Sequence, residues 1–425
     1  EGFKLYPPEM VQMSAEKLSK IDDVLEKYIS EEAIQGAVVA VSRYGHTVYF
    51  GASGFSEVKT QNPMQRDNIF HMASSTKPVL GVAAMIAVQR GLMSPNDAVG
   101  KYLPEFGDIR VAVLKTPGDI NISPLWVWDI TSAWVLPDIV SRFLGGVYAY
   151  FTDIYFYVPP HRTVPADRPL TIHDLLTHTS GLGSGGLGTA VSDWNNVNVF
   201  QSSEETLSSF VGKVSLGPLD FQPGTRWAYS GTTGLDVVAR IIEIVSRQPF
   251  QDFVQENIFD PLNMTDTHWN VPEDKRSRVV VIENDKGGWD NKHNTYFSGS
   301  IGLASTATDY LTFEKMLANG GTLFGKTILT KESVALMSSN QVGNLYGESS
   351  KGPKGEGFGY TVSVTLDSEA ASLPRSTGSF GWAGVTGTIS WSEPRTGLAV
   401  VIMVQQPNWD LNREISEAIN MSLLD

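Results

Sequence analysis

The run Phe70-His71-Met72-Ala73-Ser74-Ser75-Thr76-Lys77-Pro78 leads directly into an apolar stretch. In that stretch Val79, Leu80, Val82, Ala83, Met85, Ile86 and Val88 predict a helix that begins near Ser74. Gly91 closes it, at the position just past a helix end that glycine favours. Ser74 and Lys77 stand three residues apart and so share a helix face. A serine at a helix N-terminus sits among backbone N–H groups that favour developing negative charge. A neighbouring amine can take the serine proton when burial and polar partners weaken its own hold on a proton.

The Ser-x-x-Lys spacing alone is weak, because chance supplies about one or two such pairs in a chain of this composition. Ser14–Lys17 and Ser56–Lys59 match it as well. Ser14 suits an N-cap, ahead of an amphipathic helix over 14–30 with Leu18, Ile21, Val24 and Leu25 as its stripe. Ser56 reads as part of a polar turn. Only Ser74 leads into a long apolar helix, and on spacing alone a capping serine remains the competing reading.

The chain has 425 residues, 41% hydrophobic and 18% charged, with a formal net charge of −14. That length suits one large or two closely packed domains. No nucleic-acid partner is expected, since phosphate binding needs a basic footprint. The absence of cysteine excludes disulfides, thiolate catalysis and zinc–thiolate sites. It leaves the compartment open: a soluble chain, cytoplasmic or exported. The sequence begins at Glu1 with no apolar leader region, so either a leader has been removed or the chain has been trimmed. The most apolar region, Trp126 to Val158, is broken by Asp129, Asp138, Arg142 and Asp153, and no membrane span is expected.

Gly36–Phe50 reads as a β-hairpin turning at Tyr44-Gly45. Helical stretches follow at Ile172–Thr177, Gly234–Val245 and Phe250–Ile258, with a glycine-rich loop at Gly181–Gly188. The last third offers strands at Phe358–Val364, Gly387–Trp391 and Leu398–Val404 and a closing helix at Asn412–Leu424. Strands at both ends with helices between them predict a discontinuous α/β domain from 1–73 and 280–425, and a mainly helical domain at 74–279. A cleft between two such domains is where small-molecule sites tend to lie.

Several ordered motifs resemble one superfamily. They are Asn68–Pro78, Gly91-Leu92, Lys101-Tyr102-Leu103-Pro104-Glu105-Phe106, Leu175–Leu182, Phe221–Ser230 and Ser300–Thr306. Together they resemble the serine β-lactamases and carboxylesterases, and within that group the family VIII carboxylesterases, over about Ile21 to Gln405. The resemblance implies an α+β, β-lactamase/transpeptidase-like fold: an antiparallel sheet flanked by helices, plus an inserted mainly helical domain.

It also implies roles. Ser74 would be the nucleophile, with either Lys77 or Tyr229 as its principal base. Tyr229, in Tyr229-Ser230-Gly231, would pass the serine proton to the leaving group; read without the resemblance, it is a buried aromatic with a satisfied hydroxyl. Trp382-Ala383-Gly384 would stand where lactam-active relatives carry Lys-Thr-Gly, with Ser300 nearby as a further substrate contact. The backbone N–H groups of Ser74 and Val385 would form the oxyanion hole, and small Gly384 would let substrate lie along the strand.

Other nucleophile arrangements are weaker. Arg395-Thr396-Gly397 imitates the lactam motif but reads as a turn after Glu393-Pro394, and Ser192-Asp193 is followed by Trp194. His173 and His178 lie near Asp174 and Ser180, but no Gly-x-Ser-x-Gly elbow exists, so a Ser-His-Asp hydrolase of that type is not expected. His178 reads as structural. The histidines lack metal-ligand spacing, and no metal or cofactor is implied.

Two departures bear on substrate. Lactam-active relatives carry Asn two residues after the tyrosine and Lys at the strand motif, whereas this chain has Gly231 and Trp382. Both changes remove groups that would bind a lactam, and Trp382 offers apolar surface instead. The reading is therefore a carboxylesterase of the EC 3.1.1 type, taking small esters of short to medium acyl length through an acyl-serine. A β-lactamase or D-amino-acid peptidase, an acyltransferase and a non-catalytic binding protein remain alternatives. Against the last, a binding module has no need for Ser74, Lys77 and Tyr229 together.

A third departure is an insertion at about 116–160, rich in aromatics such as Trp126, Trp128 and Trp134. It reads as a small helical subdomain or a contact between copies in a homo-oligomer, and alternatively as a lid over an acyl pocket.

Overall fold

The computed structural model describes residues 4–115, 160–192, 205–282, 294–349 and 352–424. The chain divides into two compact units, one built from 1–94 and 238–425 and the other from 95–237.

In the first unit the predicted hairpin is present: β1 (Gly36–Arg43) pairs antiparallel with β2 (His46–Glu57). Its turn places Tyr44 at φ 50 and Gly45 at φ 80, which matches the twist of a tight hairpin. β2 runs on to Glu57, so Ser56 lies in a strand rather than a turn, its hydroxyl donating to the Asn62 carbonyl at 3.3 Å. The remaining strands are β3 (Asn62–Pro63), β4 (Glu356–Phe358), β5 (Ser363–Thr365), β6 (Phe380–Ala383), β7 (Ile389–Glu393) and β8 (Leu398–Met403). They form one antiparallel sheet in the order β4-β5-β6-β7-β8-β1-β2-β3.

The expected strand over Phe358–Val364 is two strands and a turn. Gly359 N donates to Val362 O at 2.8 Å and Thr361 sits at φ 69, so the chain reverses within the apolar run. Apolar composition cannot separate a strand from a tight reversal whose side chains are all buried.

β1 and β8 are buried along their whole length because both faces of the sheet are covered. On one face Val39, Val41, Trp391, Val400 and Ile402 meet Leu18, Ile21, Leu25, Leu411, Ile415 and Ile419. Those residues come from α1 (Ala15–Leu18), α2 (Lys20–Ser30) and, from the chain's far end, the helix Trp409–Ser422. Each such fully buried aliphatic side chain contributes roughly 1.5–3 kcal/mol. The helix expected over 14–30 breaks at Ser19, whose hydroxyl donates back to the Glu16 carbonyl at 2.8 Å and competes with the helical ladder. Ser14 is the N-cap, accepting from Lys17 N at 3.3 Å.

The other face packs on the helix Ala307–Ala318. There Glu314 is buried, and Ser390 and Ser392 of β7 donate to its carboxyl at 2.7 and 2.6 Å. α3 (Lys77–Gln89) is buried from Lys77 to Ala87, as an all-round apolar helix must be. It ends in a Schellman arrangement: Gly91 has φ 69, Gly91 N donates to Val88 O, and Leu92 N donates to Ala87 O.

The second unit carries the hairpin Arg110–Leu114 with His161–Pro165. Lys115 N donates to Pro160 O at 3.0 Å. The lid, subdomain and oligomer readings of the insertion concern residues 116–159, which lie outside the described residues. Among the described residues no helix is long and apolar enough to cross a membrane.

Candidate active site

Ser74 lies in a 3-10 turn, Ala73–Thr76, that runs into α3. This turn is held from both sides. Phe70–His71 pairs with Ala304–Ser305, Met72 N donates to Leu303 O at 2.8 Å, and Leu303 N donates to Thr76 Oγ1 at 3.2 Å. From the turn between β6 and β7, Thr386 Oγ1 donates to His71 O at 2.7 Å and Thr388 Oγ1 to Met72 O at 3.1 Å. Ser75 Oγ and Thr388 Oγ1 lie 2.9 Å apart, and the buried Tyr310 hydroxyl donates to Ser75 O. Ala73, immediately before Ser74, is fully buried at φ 46, a left-handed conformation that costs a residue with a side chain about 1–2 kcal/mol. Strain of this kind persists only where the surroundings over-determine the backbone.

Lys77 is 0% exposed and Ser74 8%. Lys77 Nζ donates to Ser74 Oγ at 3.1 Å and to Ser300 O at 2.9 Å. The amine is thus fixed between the serine hydroxyl and a backbone carbonyl, inside the start of an apolar helix. Ser300, expected as a substrate contact, is fully buried, and its carbonyl is the oxygen that accepts from Lys77. Ser298 steadies that peptide by accepting from Ser300 N at 3.0 Å and from Ile301 N at 3.1 Å.

The strand motif closes the same unit. Trp382 and Ala383 are half-buried at the end of β6, and Val385 is 69% exposed just beyond it. Trp382 meets Phe358 edge-on at 5.3 Å between ring centres, and Phe358 meets Tyr346 at 5.3 Å, so a buried aromatic pair backs the tryptophan. Gly384 N donates to Thr388 O at 2.7 Å. A Cβ on Gly384 would stand 2.4 Å from Met72 O and 2.5 Å from Thr388 Oγ1. Glycine here is required by contact with the serine-bearing turn.

Tyr229 belongs to the second unit. Two of the motifs quoted above, Leu175–Leu182 and Phe221–Ser230, are bonded together there. Asp220 N donates to Gly181 O, Gly224 N to Thr179 O, and Ala228 N to His178 O, at 2.7, 2.8 and 2.9 Å. Ser230 N donates to His178 Nδ1 at 3.2 Å. The loop's base is Asp174, which accepts from Arg168 through both oxygens at 2.7 Å and caps its own helix with Thr171. Burial pushes the Asp174 carboxyl up, but the bonds from Arg168 and Thr171 outweigh it and hold the group below the usual carboxylate range.

His178 is structural, as read from the sequence, but its partner in the Tyr229 segment and the ties from Thr386 and Thr388 are found only in the structure. The signal for the threonines was present: two hydroxyls, Thr386 just ahead of the run Gly387–Trp391 that reads as strand and Thr388 within it.

An antiparallel sheet beside a buried helix, with a serine and a buried lysine three residues apart at the helix start, is the architecture of the β-lactamase/transpeptidase-like fold. The chain belongs to the beta-lactamase family, whose model matches residues 21–133 and 148–420. It is 30% identical over 410 residues to an uncharacterised protein of Mycobacterium tuberculosis, covering 92% of this chain and 90% of that protein. It is 26% identical over 419 residues to the esterase EstB of Burkholderia gladioli, covering 92% and 91%. Among solved structures, EstCE1, described as a hydrolase with promiscuous acyltransferase activity, superimposes with a TM-score of 0.71 at 21% identity, covering 95% of this chain and 99% of that one.

Proposed function

We propose that this protein is a serine hydrolase that cleaves carboxylic esters through an acyl-Ser74 intermediate. The observation that carries the reading is the contact of buried Lys77 Nζ with Ser74 Oγ at 3.1 Å. A hydroxyl at that distance can hand its proton to the amine as it attacks. The Ser74 oxygen bonds to the ester carbonyl carbon, and the carbonyl π electrons move to the oxygen. That oxyanion is stabilised by the N–H groups of Ser74 and Val385. The intermediate collapses with loss of the alcohol, whose oxygen takes a proton delivered through Tyr229. Water then attacks the acyl carbon, the acid leaves, and Ser74 regains its proton.

Esters are favoured over lactams by the residues themselves. Trp382 supplies an apolar wall where a lactam carboxylate would need a cation, and Gly231 has no side-chain amide. The name of the esterase relative from Burkholderia gladioli supports the same substrate class.

The test is the hydrolysis of p-nitrophenyl butyrate by wild type and by Ser74→Ala. Turnover by wild type that disappears in the variant supports the class and the nucleophile together. Activity that survives in Ser74→Ala overturns the assignment. Rapid nitrocefin turnover with no ester cleavage moves the substrate to lactams.

A further inference from the structure

His178 is 1% exposed and sits at φ 59, a left-handed conformation uncommon for a residue with a side chain. Its backbone carbonyl accepts from Ala228 N at 2.9 Å, and its ring nitrogen Nδ1 accepts from Ser230 N at 3.2 Å. One residue therefore grips the chain on both sides of Tyr229. A backbone N–H can only donate, so Nδ1 carries no proton and the proton of the neutral ring lies on Nε2. The imidazole also meets the Tyr229 ring, 4.9 Å between centres at 57°, and the Trp227 ring at 5.8 Å. The loop that carries His178 is itself anchored, with Thr179 N donating to Asp174 O at 2.9 Å and Asp174 held by Arg168.

We propose that His178 is a positioning residue for Tyr229, fixing the peptide on each side of it and the tilt of its phenol through the Nδ1 acceptor and the ring face. The inference rests on the relay role proposed for Tyr229. His178 exchanges no proton with substrate. It acts by keeping the phenol where proton transfer is efficient, so its loss should appear in kcat with KM unchanged.

The experiment measures kcat and KM for p-nitrophenyl butyrate with the full chain. The proteins compared are wild type, Tyr229→Phe, His178→Leu, His178→Asn and the double variant Tyr229→Phe/His178→Leu. His178→Leu keeps bulk but has no acceptor, and a displacement of about 1 Å would lower kcat roughly 10- to 100-fold. Asparagine places Oδ1 at the same bond distance from the backbone as Nδ1 and tolerates a positive φ, so His178→Asn restores most of the kcat lost in the leucine variant. If the leucine variant melts below the assay temperature, His178→Phe, which likewise has no acceptor, takes its place with the same expectation. The double variant is no slower than Tyr229→Phe alone, because the two residues act as one unit.

Equal losses in His178→Asn and His178→Leu, or losses that multiply in the double variant, overturn the inference while leaving the tyrosine's role intact. Unchanged kcat in Tyr229→Phe overturns the tyrosine's role and the inference with it.

Discussion

The Cβ that Gly384 lacks would stand 2.4 Å from the carbonyl oxygen of Met72, two residues before Ser74. The end of β6 and the serine-bearing turn therefore meet backbone to backbone. Thr388 bridges them, donating to Met72 O and accepting from Gly384 N. Neither side can move without the other, so the position of the Val385 N–H relative to Ser74 is set by this contact. Gly384→Ala should separate the two segments. Overpacking of this kind costs about 1–3 kcal/mol, read as a lower melting temperature. The same shift should lower ester kcat by roughly 100-fold. Full activity in the alanine variant would mean that the contact does not set the geometry.

Ala73 offers a test of local strain. Its φ of 46 suits glycine, and Ala73→Gly should be neutral to stabilising by up to about 1 kcal/mol, relief of about 1–2 kcal/mol being partly offset by a more flexible unfolded chain. Ala73→Val places a branched side chain in the same fully buried, left-handed site and should destabilise by about 1–3 kcal/mol. Chemical denaturation of the two variants side by side checks this, and a glycine variant destabilised as much as the valine variant would mean that Ala73 carries no strain.

Lys77→Met keeps the length of the buried side chain and removes the amine. The fold should survive, since the site lies inside an apolar helix start. Ester kcat should fall by about 10²–10⁴-fold, the range expected for loss of a general base. Stable protein with kcat near that of wild type would remove Lys77 from the reaction.

Glu314 gives a prediction for stability against pH. Burial raises its carboxyl from 4.5 to about 7, against the opposing bonds from Ser390 and Ser392. Between those values the folded state holds a proton that the unfolded state has released. Stability from this group is therefore present below about 4.5 and declines as pH rises toward about 7. Glu314→Gln cannot ionise, and it should be the more stable of the two proteins at pH 8, by up to about 3 kcal/mol. Melting curves of both proteins from pH 5 to 8 check this. Parallel curves would show that Glu314 does not titrate in the window.

Much of the first unit was legible because its signals are local. Ser14 caps a helix, Tyr44-Gly45 turns a hairpin and Gly91 ends α3, each by chemistry confined to a few neighbouring residues. The Ser74–Lys77 pair was legible for the same reason: three residues along a helix bring two side chains together whatever the rest of the chain does. The reversal at Gly359–Val362 was hidden, since all four residues are buried and Tyr360, Thr361 and Val362 are all residues that strands favour.

Other features depend on residues far apart in the chain. That Gly384 must be glycine follows from Met72, that Ser300 serves Lys77 through its carbonyl follows from a peptide 223 residues away, and that His178 grips the Tyr229 segment follows from two loops folded together. Spacing along a helix or turn is fixed by backbone geometry and can be read in order. A backbone carbonyl carries no side-chain identity, so the contacts it makes leave no mark in the sequence and exist only once distant segments pack.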